Sequence, residues 1–188
     1  MKDKAHLVYL QNRVAYARDQ VAYKELFLHF YPMLRKLAVL IIQQEHLAEE
    51  IVSDVMTRLW TMETKLAYID HLKMYLLTAT RNTAITYLKK YRREACLPEM
   101  MVGDEPVPGN EPDQHLATKE LSLLIERAVK TLPHQCQLVF RLIKEEGLSY
   151  KEAGSVLELS QNTLETHMRT ALKRLKGALD TYLLKKKS

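Results

Sequence analysis

The chain has 188 residues, 47% hydrophobic and 27% charged, with 28 Lys and Arg against 23 Asp and Glu for a formal net charge of +5. This length sets the count at one or two domains, each small enough to need a self-supporting helical core. Two cysteines, Cys96 and Cys136, lie far apart without Cys-x-x-Cys spacing, so neither a disulfide framework nor a zinc knuckle is implied. The longest apolar run, Leu37 to Ile42, is far short of the roughly 20 residues that span a bilayer, and no apolar leader opens the chain, so a cytoplasmic location without membrane insertion is expected.

Few glycines and no alternating strand pattern predict an all-α fold, with two small helical domains joined by a flexible linker. The N-terminal half reads as three helices: an opening stretch to about Gln44, a second from His46 to about Met62, and a third from about Met74 to Glu94. In the second, Leu47, Ala48, Ile51, Val52, Val55 and Leu59 form an apolar stripe, and Glu50, Ser53, Asp54 and Thr57 face away from it. Trp60 closes that helix and is expected in the core. An irregular connection, Thr61 to His71, holds Glu63, Lys65 and Tyr68, a set that can stack on and hydrogen-bond an extruded base or simply serve as a surface loop. The third helix is expected to bury Leu77, Ala84, Ile85, Leu88 and Tyr91 and to display Asn82, Thr86, Lys89, Lys90 and Arg93.

Charge divides the chain further. Residues 1–95 carry 15 basic against 10 acidic side chains, residues 96–118 none against 5, and residues 119–188 carry 13 against 8. The acidic strip holds Pro98, Pro106, Pro108, Pro112, Gly103 and Gly109, and reads as a linker. It can act as a solvated spacer or lie along a basic surface.

Two closely spaced helices follow. Ser149 with Glu152 has capping-box spacing, so the first should begin at Tyr150. Ser160 can cap the second, whose Leu164, Met168, Ala171, Leu172 and Leu175 make a stripe. Leu157 to Leu159 allow only the tight turn of a helix-turn-helix. Away from the stripe stand Asn162, Thr166, Arg169 and Lys173, flanked by Glu165 and Thr170. Asn and Arg read adenine and guanine edges, Thr can touch a thymine methyl, and Lys suits a phosphate, although a polar helix face is also an ordinary solvated surface.

Ala48-Glu49-Glu50-Ile51-Val52-Ser53-Asp54-Val55-Met56-Thr57-Arg58-Leu59-Trp60 resembles the region-two helix of bacterial RNA polymerase sigma factors, usually Ala-Glu-Asp-hydrophobic-Val-Gln-Glu-Val-Phe-x-x-Leu-Trp. Tyr75 to Asn82 followed by Tyr87-Leu88-Lys89-Lys90 is similar to the next landmark of that family, and Leu132-Pro133, Val139-Phe140 and the helix-turn-helix are similar to region four. In order and spacing, from about Tyr23 to Leu179, the chain resembles the small extracytoplasmic-function group. The resemblance implies a region-two domain at residues 1–95 that binds core polymerase and melts the minus-ten element. It implies a region-four domain at 119–188 that reads minus-35, with 96–118 as the linker.

On that resemblance, Glu49, Glu50, Ser53, Asp54 and Thr57 are the candidate polymerase contact. Lys65, Tyr68, Asn82, Thr86, Lys89, Lys90 and Arg93 are the candidate minus-ten surface. Gln161, Asn162, Thr163, Glu165, Thr166, Arg169, Thr170 and Lys173 are the candidate minus-35 surface. Core RNA polymerase, promoter DNA and an anti-sigma factor are the implied partners. The long N-terminal autoinhibitory region and middle domain of housekeeping sigma factors are not expected here. Two positions depart from the pattern: Ala153-Gly154 stands where Ile-Ala is commoner, and Glu158 stands where the turn often has Gly, which would strain a left-handed backbone.

No nucleophile-base pair, phosphate-cradling loop or paired catalytic carboxylates are legible, so no enzyme activity, cofactor or metal is expected. His134 and Cys136 lie on different helix faces. His167 is expected at the helix surface or on a phosphate, and Lys185 to Lys187 in a frayed terminus or on phosphates. A stand-alone helix-turn-helix regulator and a protein that sequesters a transcription component are the alternative readings.

Overall fold

The computed structural model describes residues 4–94 and 116–187, with the side chains of 4–91 and 123–182. Every regular element among these residues is helical. The chain divides into two compact units, Met1–Glu99 and Met100–Ser188. Cys96, the prolines of the acidic strip, and the side chains of Arg93 and Lys185 to Lys187 lie outside the described residues.

The first unit is built around α2 (Gln20–Ile42), which packs against α1 (Lys4–Ala17), α3 (Glu45–Thr61) and α4 (Leu72–Glu94). Its buried residues, Ala22, Leu26, Phe30, Leu34, Leu37, Ala38, Ile41 and Ile42, recur every three or four positions, so one continuous face supplies the core.

The single opening helix expected from the sequence is therefore two helices. Arg18 adopts a left-handed backbone at φ 51°, which α-helix cannot continue. Asp19 then caps α2, one carboxylate oxygen accepting from the Val21 and Ala22 amides and the other from the Arg13 guanidinium at 2.9 and 2.7 Å. The Arg13 hydrogen bond, followed by the Ala22 amide, holds the Asp19 carboxyl below its usual range.

In α3 the expected stripe is buried apart from half-buried Leu47, and Met56 joins it. The expected irregular connection contains a 3-10 turn, Glu63–Tyr68, packed on α1. Trp60 sits at the margin of the core, half-buried, with the Tyr23 ring edge-on at 4.9 Å and the Arg18 guanidinium 4.3 Å over its face. In α4, Leu77 and Ala84 are buried and Ile85 and Leu88 half-buried. Tyr91 is 43% exposed, while Leu76, Thr80 and Thr83 take up core positions instead.

The second unit comprises α5 (Leu116–Lys130), α6 (His134–Phe140), α7 (Tyr150–Leu157) and α8 (Gln161–Lys187). Ala128, Val129, Leu132, Cys136, Ala171 and Leu175 form a core against which Phe140 and Ala178 pack. A π-helical turn, Arg141–Glu145, follows α6. Its Arg141 guanidinium reaches Glu126 of α5 at 2.6 Å and Glu145 at 2.8 Å. Burial works against that charge, but the two carboxylates outweigh it and raise the guanidinium pKa further. No described helix is long and apolar enough to cross a membrane.

Candidate nucleic-acid and polymerase interfaces

In the α7–α8 pair, α7 is capped at both ends and α8 at its start. The Ser149 hydroxyl accepts from the Glu152 amide at 3.2 Å while the Glu152 carboxylate accepts from the Ser149 amide at 2.8 Å, completing the capping box. Such a cap stabilises a helix start by about 1 kcal/mol. The α7 helix ends at Glu158, whose φ of 56° and ψ of 41° are left-handed and whose amide bonds the Gly154 carbonyl. A Cβ on Gly154 would meet the Leu159 carbonyl oxygen at 3.0 Å and Leu164 Cδ1 at 3.2 Å. The two departures from the family pattern thus belong to one device. Gly154 lets the turn and α8 approach α7 closely, and Glu158 carries the left-handed residue that reverses the chain.

Ser160 caps α8, its hydroxyl accepting from the Thr163 amide at 3.2 Å and lying 2.8 Å from the Thr163 hydroxyl. Thr163 is accordingly half-buried and engaged in the cap. Asn162, Glu165, Thr166, Arg169 and Lys173 are exposed along one face, with Thr170 half-buried at its edge. The Thr166 and Thr170 hydroxyls donate to the carbonyls four residues earlier, at 3.0 Å each. Gln161 donates to Glu165 at 3.0 Å.

Behind this face Leu164, Met168, Ala171 and Leu175 are buried, but Leu172 is 47% exposed. It lies about 60° beyond Leu175 around the helix, toward the polar side, so the stripe passes it by. His167 is half-buried rather than fully on the surface, its Nδ1 3.6 Å from the Cys136 sulfur of α6.

In the first unit Glu49, Glu50, Ser53, Asp54 and Thr57 are all exposed on α3. Two of them have partners within the unit. Arg35 of α2 lies 3.5 Å from Glu49 and bonds Glu45 at 2.7 Å, and Asp54 accepts from the Tyr87 hydroxyl of α4 at 2.7 Å. That hydrogen bond, aided by burial and the Asp54 and Glu50 charges, pushes the Tyr87 hydroxyl up to about 12. Tyr87 therefore ties the acidic face of α3 to the basic helix α4, a link that helix periodicity could not reveal.

Asn82, Thr86, Lys89 and Lys90 are exposed on α4. The Asn82 side-chain oxygen accepts from Arg81 at 3.0 Å, which leaves its amide N–H groups directed away from that contact. Lys65 and Tyr68 are exposed on the 3-10 turn, Tyr68 to 79%. That turn packs mainly on α1 and also touches α3, whereas α4 packs on α2 and α3, so α3 is the support that the two parts of the expected minus-ten surface share. Among the described residues no group of His, Cys, Asp and Glu could hold a metal ion.

Residues 26–94 match the model of sigma-70 region 2, and residues 122–175 that of sigma-70 region 4. Together these stretches cover more than half of the chain. The chain is 27% identical over 180 residues to the ECF RNA polymerase sigma factor RpoE of Cereibacter sphaeroides, covering 93% of this chain and 95% of that protein. It is 24% identical over 142 residues to the ECF sigma factor SigM of Bacillus subtilis, covering 72% and 81%. In fold it is similar to the sigma factor RpoE solved with the anti-sigma factor NepR from Bartonella quintana, with a TM-score of 0.62 at 22% identity over 84% of this chain and 96% of that one. CnrH, solved with the cytosolic domain of CnrY, gives a TM-score of 0.57 at 21% identity over 94% and 98%. With both regions matched in order and two helical units observed, the chain belongs to the extracytoplasmic-function group of sigma-70 factors, which direct RNA polymerase to initiate transcription at specific promoters.

Proposed function

We propose that residues 119–188, within the second unit, read the minus-35 element through α8, and that residues 1–95, within the first, bind core polymerase through α3 and melt the minus-ten element. Residues 96–118 act as the spacer between them. The observation that carries this reading is the doubly capped helix-turn-helix with Asn162, Thr166, Arg169 and Lys173 on one exposed face. Those side chains supply one amide, one methyl and two cations, the chemistry for base edges and phosphates in the major groove. Gln161, Glu165 and Thr170 flank that face, and Thr163 sets its start through the cap.

In the first unit the exposed acidic face of α3, with Glu49, Glu50, Ser53, Asp54 and Thr57, suits a basic surface on polymerase. Asn82, Thr86, Lys89, Lys90 and Arg93 are assigned to the minus-ten strand, and Lys65 and Tyr68 to an unpaired base. Tyr68 presents a free ring for stacking, and Lys65 a cation for the adjacent backbone. Melting costs stacking energy, so a pocket that binds the unpaired base and not the duplex shifts the equilibrium toward the open promoter. Polymerase carries the metal and the nucleotidyl transfer, so this chain acts as a cytoplasmic initiation factor without catalysis or cofactor of its own. An anti-sigma protein that covers the same faces is the expected negative regulator.

The test is transcription in vitro with the purified chain, sigma-free core polymerase and fragmented genomic DNA of the source organism, mapping RNA 5′ ends. New starts that share a two-part upstream motif support the reading. Sequence-specific duplex binding by the chain alone, with no new starts, would replace it with a stand-alone regulator.

A further inference from the structure

The 3-10 turn that carries Lys65 and Tyr68 is held from beneath by a side chain outside every assigned surface. Gln11 of α1 is 5% exposed, and its amide nitrogen donates to the Leu66 carbonyl at 2.7 Å and to the Ile69 carbonyl at 2.9 Å. Carbonyls only accept, so the NH2 end of the amide must face them, and both of its protons are used. Leu66 is fully buried, and its carbonyl also accepts from the Ile69 amide, closing the turn on itself.

Tyr68 therefore projects from between two anchored backbone positions: its ring is free while its Cα is fixed. The entrance to the turn is held as well. Glu63 has a left-handed φ of 53°, and Arg18 donates to the Trp60 carbonyl at 2.8 Å and lies 3.9 Å from the Glu63 carboxylate. Both ties come from α1 or from the residue that ends it.

We propose that Gln11 is a positioning residue for promoter melting, fixing the Glu63–Tyr68 turn in the conformation that receives the unpaired base. This rests on the reading of Tyr68 as the stacking platform. A turn that is not held samples other conformations, and apparent affinity for the base falls with the fraction that remains competent. Two hydrogen bonds of ordinary net strength correspond to a loss of about thirtyfold.

The test compares holoenzymes carrying full-length Gln11→Met, Tyr68→Ala and the double variant on one fully duplex promoter identified by transcript mapping. Opening is read by permanganate reactivity of unpaired thymines, and affinity for core polymerase is measured separately. Gln11→Met is expected to lower open-complex occupancy about thirtyfold with core affinity unchanged. The double variant is expected to be no worse than Tyr68→Ala alone, because Gln11 acts only through the turn. Normal opening by Gln11→Met beside a defective Tyr68→Ala overturns the proposal and leaves the platform reading intact. Normal opening by Tyr68→Ala overturns the platform reading and the proposal with it. Additive losses assign Gln11 to general stability instead. Should Gln11→Met lose core binding, Gln11→Asn, whose amide is one methylene short of both carbonyls, enters the same cycle.

Discussion

Replacing Glu158 by glycine should stabilise the second unit alone. Glu158 holds φ 56° and ψ 41°, a conformation that costs a residue with a Cβ roughly 1–2 kcal/mol. Glycine adopts it freely but loses more backbone entropy on folding, which takes back about 0.5–1 kcal/mol. The net gain is about 0.5–1 kcal/mol, or roughly 4 °C in the melting temperature of a domain of this size. The side chain is exposed, so removing it opens no cavity.

The chain's only tryptophan, Trp60, belongs to the first unit, so its fluorescence follows that unit while far-UV ellipticity follows both. The expected result is a later ellipticity transition with the Trp60 transition unmoved. Glu158→Ala keeps the Cβ strain but removes the carboxylate, and should not stabilise. An equal gain from Glu158→Ala would transfer the effect to charge, and no gain from Glu158→Gly would refute the strain argument.

Three further outcomes follow from the interfaces. Arg169→Ala should weaken minus-35-dependent initiation by roughly 1–3 kcal/mol, read as promoter occupancy by the holoenzyme, and unchanged promoter choice would remove Arg169 from the reading surface. Charge reversal at Glu50 and Asp54 together should abolish co-purification with core polymerase while helix content is retained; normal co-purification would end the assignment of α3 to that contact. Spectrophotometric titration should find one tyrosine, Tyr87, ionising at about 12, with Asp54→Asn returning it toward 10. Because the folded state keeps that proton longer than the unfolded chain, the stability it contributes is complete below pH 10 and is lost as pH rises toward 12. A Tyr87 that ionises near 10 in the unsubstituted protein would mean that the Asp54 contact is not formed in solution.

Features that depend on near neighbours in the chain were legible in the sequence. Ser149 and Glu152 are three residues apart, the spacing of a capping box at a helix start, and the stripe of α3 declares its buried face by spacing alone. The helical character of both units, and the exposure of the acidic face of α3, follow from the same local rules.

Tertiary structure decided what periodicity could not. No Gly or Pro marks the break at Arg18, because its left-handed backbone is maintained by contacts with Trp60, 42 residues away. Tyr91 and Leu172 fit helical stripes yet remain exposed, since a stripe extends only as far as a neighbouring helix covers it. Met56, Thr80 and Thr83 are buried where one does. Gln11 was silent for the same reason: a glutamine on an amphipathic helix carries no signal until two carbonyls 55 and 58 residues away arrive within 3 Å of its amide. Tyr87 and Asp54, on different helices, became a pair only through packing. Hydrophobic spacing and caps are written into consecutive residues and so determine which helices form and which faces they bury, whereas the partners of a polar side chain depend on how those helices assemble.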